Sequence, residues 1–178
     1  MRKLKNSELK RISRVEFRKA KKTPIIIILD NVRSAMNVGS IFRNADAFII
    51  EKIYLCGITA TPPNKEILKT ALGAQDTLDW QYYEDIISLI KNLKHTDNYL
   101  VAVEQTENAT ELNDFNLPRN KIVLIFGNEV FGVNQQVIDL CDECIEIPQF
   151  GTKHSLNIAV SAGIVMWELR NKRIRKKY

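Results

Sequence analysis

The sequence predicts an α/β fold with a mainly parallel sheet and helices on both faces. Short aliphatic and β-branched runs alternate with amphipathic segments along the chain, which is the pattern of successive strand and helix units. The aliphatic runs are continuous, as expected of strands that are buried on both sides of a parallel sheet. The 178 residues contain no internal repeat or interdomain linker and are enough for one well-buried domain.

The first predicted element is a basic helix over residues 7–20, with a loose apolar stripe and a polar N-cap at position 6 or 7. Pro24 ends this helix, and the β-branched run at residues 25–29 predicts the first strand. After a polar loop, residues 37–48 are predicted to be helical because apolar side chains recur every three or four positions.

The remaining elements follow from the same two patterns. Apolar runs predict strands at residues 52–56, 80–83, 98–103, 121–126 and 144–147. Amphipathic segments that follow turn or capping residues predict helices at residues 64–71, 85–93, 135–140 and 155–173. Ser155 is the expected N-cap of the last helix, because its hydroxyl can accept hydrogen bonds from the free amides of the first turn.

The basic charge is concentrated at the two ends of the chain. Residues 1–22 carry ten lysines and arginines against two glutamates, and residues 168–178 carry six against one. The 145 residues between them have a net charge of −8. Solubility does not require such asymmetry, whereas a polyanionic partner such as RNA would explain it. We therefore divide the chain into a basic N-terminal helical extension, residues 1–22, and a main domain, residues 23–178.

Composition excludes several classes of protein. The longest aliphatic run is too short to cross a bilayer, and the N-terminus lacks the apolar core of a secretory signal. Three cysteines are too few for a disulfide framework, so we expect a cytoplasmic protein with no membrane partner. Cys141 and Cys144 have zinc or redox spacing, but no second ligand pair exists and both follow a predicted helix, so we expect no metal site.

Polar residues are concentrated in three loops that follow predicted strands. In open parallel sheets the carboxyl ends of the strands form the edge where ligands bind. Two glycines in the second loop, residues 127–132, allow close backbone approach, but their spacing is not that of a nucleotide-phosphate loop. The following side chains are candidates to converge at this edge: Asp30, Arg33, Asn37, Arg43, Asn128, Glu129, His154, Ser155 and Asn157.

Three ordered motifs carry a resemblance to a known family. They read NVGSIFRNADAF at residues 37–48, IVLIFGNEVFGV at residues 122–133 and IPQFGTKHSLNIAV at residues 147–160. Together they resemble the motifs of the SpoU (TrmH-like) RNA ribose methyltransferases of the SPOUT superfamily. Two departures concern packing: Ile49 stands where the family commonly has glycine, and Gln149 where methionine is frequent.

The resemblance implies a fold, a cofactor and a partner. The fold is a SPOUT fold with a C-terminal trefoil knot. The cofactor is S-adenosylmethionine, held mainly by backbone groups near Gly127, Ile147 and Leu156. The protein would act on RNA as a homodimer, through the C-terminal helix and the knot region, where Ala159, Ala162 and Gly163 are small enough for close helix packing.

The implied reaction is methyl transfer to a ribose 2′-hydroxyl of RNA, with tRNA favoured over rRNA because the chain is small. By resemblance, Arg43 is the central catalytic residue, acting either as a base or as a group that positions the phosphate and stabilises negative charge. The residues implied to position the ribose and Arg43 are Asn37, Glu129, Ser155 and Asn157. The alternative from another class is a catalytically silent RNA-binding protein with a relict cofactor pocket.

Overall fold

The fold is known from a computed structural model, which describes residues 1–175. Seven strands of this part form one all-parallel sheet in the order β3-β2-β1-β6-β4-β7-β5. The strands are β1 (Thr23–Asp30), β2 (Ile50–Cys56), β3 (Asp79–Tyr83), β4 (Asn98–Val103), β5 (Thr110–Glu111), β6 (Lys121–Phe126) and β7 (Glu143–Glu146). The helices are α1 (Arg14–Lys19), α2 (Ala35–Ala47), α3 (Lys65–Ala71), α4 (Ile86–Lys94), α5 (Gln135–Ile138) and α6 (Ile158–Arg175).

Both faces of the sheet are buried, as the continuous aliphatic strands predict. Along β1, Ile25, Ile27 and Leu29 join one hydrophobic cluster with side chains of α2, α3 and α6. Ile26 and Ile28 point to the other face and join a second cluster with side chains of α4 and α5. Each such side chain stabilises the fold by about 1.5–3 kcal/mol. The prediction of a parallel sheet with helices on both faces is confirmed.

The strand order brings the carboxyl ends of four strands together. β6 lies between β1 and β4, where Phe126 pairs with Leu29, and β7 lies beside β4, where Ile145 pairs with Val103. The loops that leave β1, β6, β4 and β7 therefore share one edge of the sheet. The first motif follows the loop after β1, the second spans the end of β6 and the loop after it, and the third spans the segment after β7 and the start of α6.

Most predicted boundaries are close to the observed ones. The bounds of β4 and β6 agree with the prediction, and most of the others differ by one or two residues. The two-residue strand β5 was not predicted, because Thr110–Glu111 contains no apolar run. This strand pairs only with β7, at the edge of the sheet.

The predicted helix over residues 7–20 is wrong in its first half. Residues Asn6–Glu8 form a single 3₁₀ turn, and Lys10 has a φ of +45° that an α-helix does not tolerate. Helix α1 begins only at Arg14, because Ser13 and Glu16 form a capping box in which each side chain accepts from the other's backbone amide.

The short helix α1 is attached to the main domain. Phe17 is buried in the first hydrophobic cluster. Arg14 forms an ion pair with Asp76 at 3.4 Å, and Arg18 donates to the Asp76 carbonyl at 3.1 Å. Removing residues 1–22 would therefore remove a core side chain as well as charge. The division of the chain at residue 22 stays a prediction.

The last helix begins three residues later than predicted. Its N-cap is Asn157 and not Ser155: the Asn157 side-chain oxygen accepts from the amides of Ala159 at 2.9 Å and Val160 at 3.3 Å. Ser155 lies in the exposed loop before the helix. Asparagine and serine are comparable caps, so propensity alone did not separate the two positions.

The turn between α2 and β2 has an unusual backbone. Ile49, which stands where the family that the motifs resemble commonly has glycine, has a φ of +53°. This left-handed conformation costs a non-glycine residue about 1–2 kcal/mol. The Ile49 side chain packs against the first hydrophobic cluster, and its carbonyl accepts from the Thr23 amide at 2.8 Å. These contacts offset the backbone strain.

Part of the C-terminal basic charge is used inside the fold. Lys172 donates to three carbonyls, those of Leu112, Asn113 and Phe115, at 2.7–3.0 Å. Arg173 donates to the Asn120 carbonyl at 2.8 Å, and burial lowers the pKa of its guanidinium. The last three residues of the predicted basic end, 176–178, lie outside the described residues. No helix in the described part is long and apolar enough to cross a bilayer.

Candidate functional site

A cavity of about 510 Å³ lies at the carboxyl edge of the sheet. Three segments form its wall: the end of β4 with the loop that follows, the loop after β6, and the long segment between β7 and α6. Cavities of this size hold small organic ligands and cofactors. The wall mixes backbone, apolar side chains and a few polar groups rather than a cluster of charges.

The loop after β6, which lines the cavity, is a tight turn closed by backbone hydrogen bonds. The Asn128 amide donates to the Gly132 carbonyl at 3.0 Å, and the Gly132 amide donates back to Asn128 at 2.8 Å. Gly132 has a φ of +67°, and a Cβ on Gly127 would lie 2.2 Å from the Gly132 carbonyl. Both glycines are therefore required by the turn itself.

Glu104 and Gln105, the two residues that follow β4, connect the other segments of the cavity wall. That they connect these segments was not predicted from the sequence. The Glu104 carboxylate accepts from the amides of Val133 and Gln105, both at 2.9 Å. The Gln105 side chain donates to the His154 carbonyl at 2.8 Å. The position of these residues at the carboxyl end of a predicted strand was the signal that could have revealed them.

The carboxylate of Glu129 holds the start of α2 against the loop after β6. It accepts from the amides of Arg33 at 2.9 Å and Ser34 at 3.0 Å, and from the Asn37 side chain at 3.2 Å. Burial alone would raise the pKa of Glu129, but the hydrogen bonds outweigh burial and lower it. Glu129 is therefore an ionised carboxylate at neutral pH, at the positive end of a helix dipole.

Asn37 and Asn157 extend this contact to α6. The Asn157 side-chain nitrogen donates to the Asn37 side-chain oxygen at 3.1 Å, while the Asn157 oxygen caps α6. A continuous chain of hydrogen bonds thus runs from the loop after β6, through the start of α2, to the start of α6. The three motifs are joined by one residue from each: Glu129, Asn37 and Asn157.

The structure places most of the predicted site residues together, and Arg43 apart. The cavity wall includes the following predicted residues: Gly127, Glu129, Ile147, Ser155, Leu156 and Asn157. Asn37 contacts two of them. Arg43 lies six residues beyond Asn37, about 120° around the helix, and is exposed. Within residues 1–175 its guanidinium makes no hydrogen bond or ion pair, so it is free to bind an external anion.

The cysteines and acidic residues offer little to a metal. Within the described residues, no three of the His, Cys, Asp and Glu side chains are grouped as a metal site would require. Burial raises the pKa of Cys141 to about 12 and also raises that of Cys144. Both therefore remain protonated thiols at neutral pH, which are poor nucleophiles and poor ligands.

The chain is similar to a known family and to several known proteins. A family model described as the SpoU rRNA Methylase family matches residues 24–167. A 23S rRNA (guanosine-2′-O-)-methyltransferase of Neisseria meningitidis is 29% identical over 153 residues, which cover 86% of this chain and 60% of that protein. A protein of Borreliella burgdorferi described as an uncharacterized tRNA/rRNA methyltransferase is 30% identical over 159 residues, which cover 88% of this chain and 68% of that protein.

Two solved structures share the fold. The A. aeolicus TrmH/SpoU tRNA modifying enzyme superposes with a TM-score of 0.81 at 23% identity, covering 92% of this chain and 84% of that one. An AdoMet-bound rRNA methyltransferase from Sinorhizobium meliloti gives 0.80 at 25% identity, covering 88% and 60%. The chain therefore spans about three fifths of the Neisseria and Sinorhizobium proteins. The matched family model covers most of its residues, and the chain belongs to the SpoU rRNA methylase family.

Proposed function

We propose that this protein transfers a methyl group from S-adenosylmethionine to a ribose 2′-hydroxyl of RNA. The observation that carries the proposal is the hydrogen-bonded chain Glu129–Asn37–Asn157, which joins the loop after β6, the start of α2 and the start of α6 beside one cavity. Methyl transfer requires a donor and an acceptor held in contact at a fixed angle, and loops that are tied together provide such a frame.

The residues of the cavity wall fit the methyl donor. Gly127, Ile147 and Leu156 lie on the wall of a cavity large enough for the donor, and within the described residues their backbone amides have no hydrogen-bond partner. The donor carries its methyl group on a sulfonium, which makes that carbon electrophilic. The apolar side chains of Ile147 and Leu156 would exclude water beside it. The AdoMet-bound Sinorhizobium neighbour supports this choice of cofactor.

The acceptor side of the site is polar. The Ser155 hydroxyl and the Asn157 amide lie on the cavity wall, where they can hydrogen-bond the hydroxyls of a ribose. The 2′-hydroxyl is a weak nucleophile and loses its proton as it attacks. Groups that hold it in line with the methyl carbon therefore contribute to the rate through position.

Arg43 is proposed to bind the RNA phosphate beside the acceptor ribose. A guanidinium is a delocalised cation that has five N–H donors and no acceptor, so it is a poor base. It is a strong bidentate partner of phosphate and stabilises negative charge that develops nearby. The absence of an internal partner among residues 1–175 leaves Arg43 available for this role.

A homodimer is part of the proposal. Helix α6 buries one side in the first hydrophobic cluster, yet Val160, Ile164 and Trp167 expose apolar surface on another side. A helix that is apolar on two sides is stabilised by a partner. The small residues Ala159 and Ala162 are buried within the chain, so they serve packing against α2 rather than the dimer. The trefoil knot near this helix remains a prediction from the resemblance.

RNA binding and a cytoplasmic location complete the proposal. The N-terminal basic segment is largely exposed and can neutralise RNA phosphates. The three cysteines are free thiols, which suits a reducing compartment. We retain tRNA as the favoured substrate. The Neisseria relative's name specifies 23S rRNA, so rRNA must be tested alongside it.

The proposal is tested with labelled S-adenosylmethionine and separate pools of unmethylated tRNA and rRNA. We expect label on ribose 2′-oxygens in one pool. Arg43→Ala should lower the rate by at least roughly a hundredfold, the scale of losing one preorganised charge-stabilising group, while donor binding by calorimetry is unchanged. Arg119→Ala, which removes another exposed arginine just before β6, is the matched control and should retain full activity.

The alternative is distinguished by the same measurements. A catalytically silent RNA-binding protein would bind RNA, and even the donor, without transferring label to either pool. Transfer that survives Arg43→Ala would contradict the role given to Arg43 and leave the activity standing.

A further inference from the structure

Phe131 is an exposed aromatic ring held on a rigid turn. Its side chain is 87% exposed, although it belongs to the wall of the cavity. The Asn128 side-chain oxygen accepts from the amides of Val130 at 2.8 Å and Phe131 at 3.2 Å, and its nitrogen donates to the Asn31 carbonyl at 2.8 Å. The backbone under the ring is thus tied to the end of β1.

Exposure alone would not assign a role to this ring, since single apolar side chains are common on protein surfaces. Its location does. Phe131 follows Glu129 by two residues and shares the cavity wall with Ser155 and Asn157, the groups proposed to bind the acceptor ribose. A ring on a tethered backbone beside a sugar site requires little rearrangement of the main chain when a flat ligand covers it.

The covalent structure of a nucleotide fixes what lies beside its ribose. The base is attached to the same sugar ring as the 2′-hydroxyl. A nucleotide that places its 2′-hydroxyl in the cavity therefore places its base at or near the cavity mouth. Unpaired RNA bases are commonly bound by stacking on exposed aromatic side chains.

We propose that Phe131 is the stacking platform for the base of the acceptor nucleotide. The inference rests on the proposed function, because it takes RNA as the ligand and the ribose as its anchor. Because a phenyl ring forms no hydrogen bond with a base edge, it accepts any exposed base. It should bind a nucleotide with a base in preference to an abasic one, and purines in preference to pyrimidines. It also requires the acceptor nucleotide to be unpaired when it binds.

The experiment compares two short labelled ligands at one salt concentration: an oligoadenylate and an abasic ribose-phosphate chain of equal length. Both carry the same phosphate charge, so the ratio of their affinities reports contacts to bases. The wild-type protein should prefer the oligoadenylate. Phe131→Ala should reduce this preference by roughly five- to a hundredfold, the range measured for one base on one aromatic ring.

Three further variants separate stacking from other effects. Phe131→Trp should retain the preference, whereas Phe131→Leu, which is apolar without a ring, should behave like alanine. Phe150→Ala is the matched control: Phe150 is 97% exposed and lies outside the cavity wall, so its loss should leave the ratio unchanged. Melting temperatures should agree among all variants, because neither ring is buried.

Several results would overturn the inference. The first two are an unchanged ratio of the two affinities in Phe131→Ala and a fully retained preference for oligoadenylate in Phe131→Leu. The other two are weaker binding of S-adenosylmethionine by Phe131→Ala in calorimetry and weaker self-association of Phe131→Ala in sedimentation. The last two would assign the ring to the donor or to a second copy of the chain. If the wild type discriminates the ligands through Phe131 but transfers no label to RNA, only the proposed function fails.

Discussion

Replacing Asn157 with alanine tests the geometry of the site through its stability. The side chain makes two kinds of contact: its oxygen caps α6 at the amides of Ala159 and Val160, and its nitrogen donates to Asn37. Loss of an N-cap costs about 0.5–2 kcal/mol. Loss of a partly exposed hydrogen bond between neutral side chains costs about 0.5–1 kcal/mol. The expected destabilisation is therefore about 1–3 kcal/mol.

Two controls divide this free energy between its causes. Asn157→Ser retains a capping oxygen but is too short to reach Asn37, so it should lose only the smaller part. Ser155→Ala removes the residue that the sequence favoured as the cap. Since Ser155 is exposed and makes no hydrogen bond within residues 1–175, its loss should change stability by less than about 0.5 kcal/mol.

The assay is urea denaturation at a fixed protein concentration, because a homodimer would make stability depend on concentration. A change in the midpoint with an unchanged slope reports a change in stability. For a chain of this length, each kcal/mol also corresponds to about 2–4 °C in melting temperature. If Ser155→Ala proved more destabilising than Asn157→Ala, the cap would be at Ser155 and the observed start of α6 would be wrong.

The ionised Glu129 and the exposed apolar side of α6 each give one further prediction. Glu129→Gln should lower the free energy of unfolding by about 1–2 kcal/mol at pH 7. Because the folded-state pKa of Glu129 is lowered, the stability that its charge contributes is present above the ordinary pKa of about 4.5 and is lost as pH falls through the folded-state pKa. The stabilities of wild type and variant, measured by denaturation, should therefore converge at low pH. Trp167→Glu should convert the proposed dimer to monomer in sedimentation equilibrium, because it buries a charge in the proposed interface. Ile58→Glu, at another exposed apolar position, should not, and a dimer that persists in Trp167→Glu would move the interface away from α6.

The sequence was sufficient to predict the sheet and the edge at which the polar loops meet. Strands β1, β4 and β6 are continuous aliphatic runs, and burial on both faces leaves such runs few alternatives. The motifs could be placed at one edge because all strands of a parallel sheet end there. The N-terminal helix was misjudged because Leu9 and Ile12 suggest a stripe, whereas only Phe17 of this segment reaches the core.

What the sequence determined by itself was local and periodic: the alternation of strands and helices, the basic ends, and the family motifs. The tertiary structure alone decided which polar atoms meet. Asn157 caps α6, Glu129 holds the start of α2, and Lys172 binds three carbonyls, because packing brings together atoms that are up to 120 residues apart in the chain. Hydrogen bonds depend on distances of a few tenths of an ångström, and residue spacing along a sequence does not contain that information.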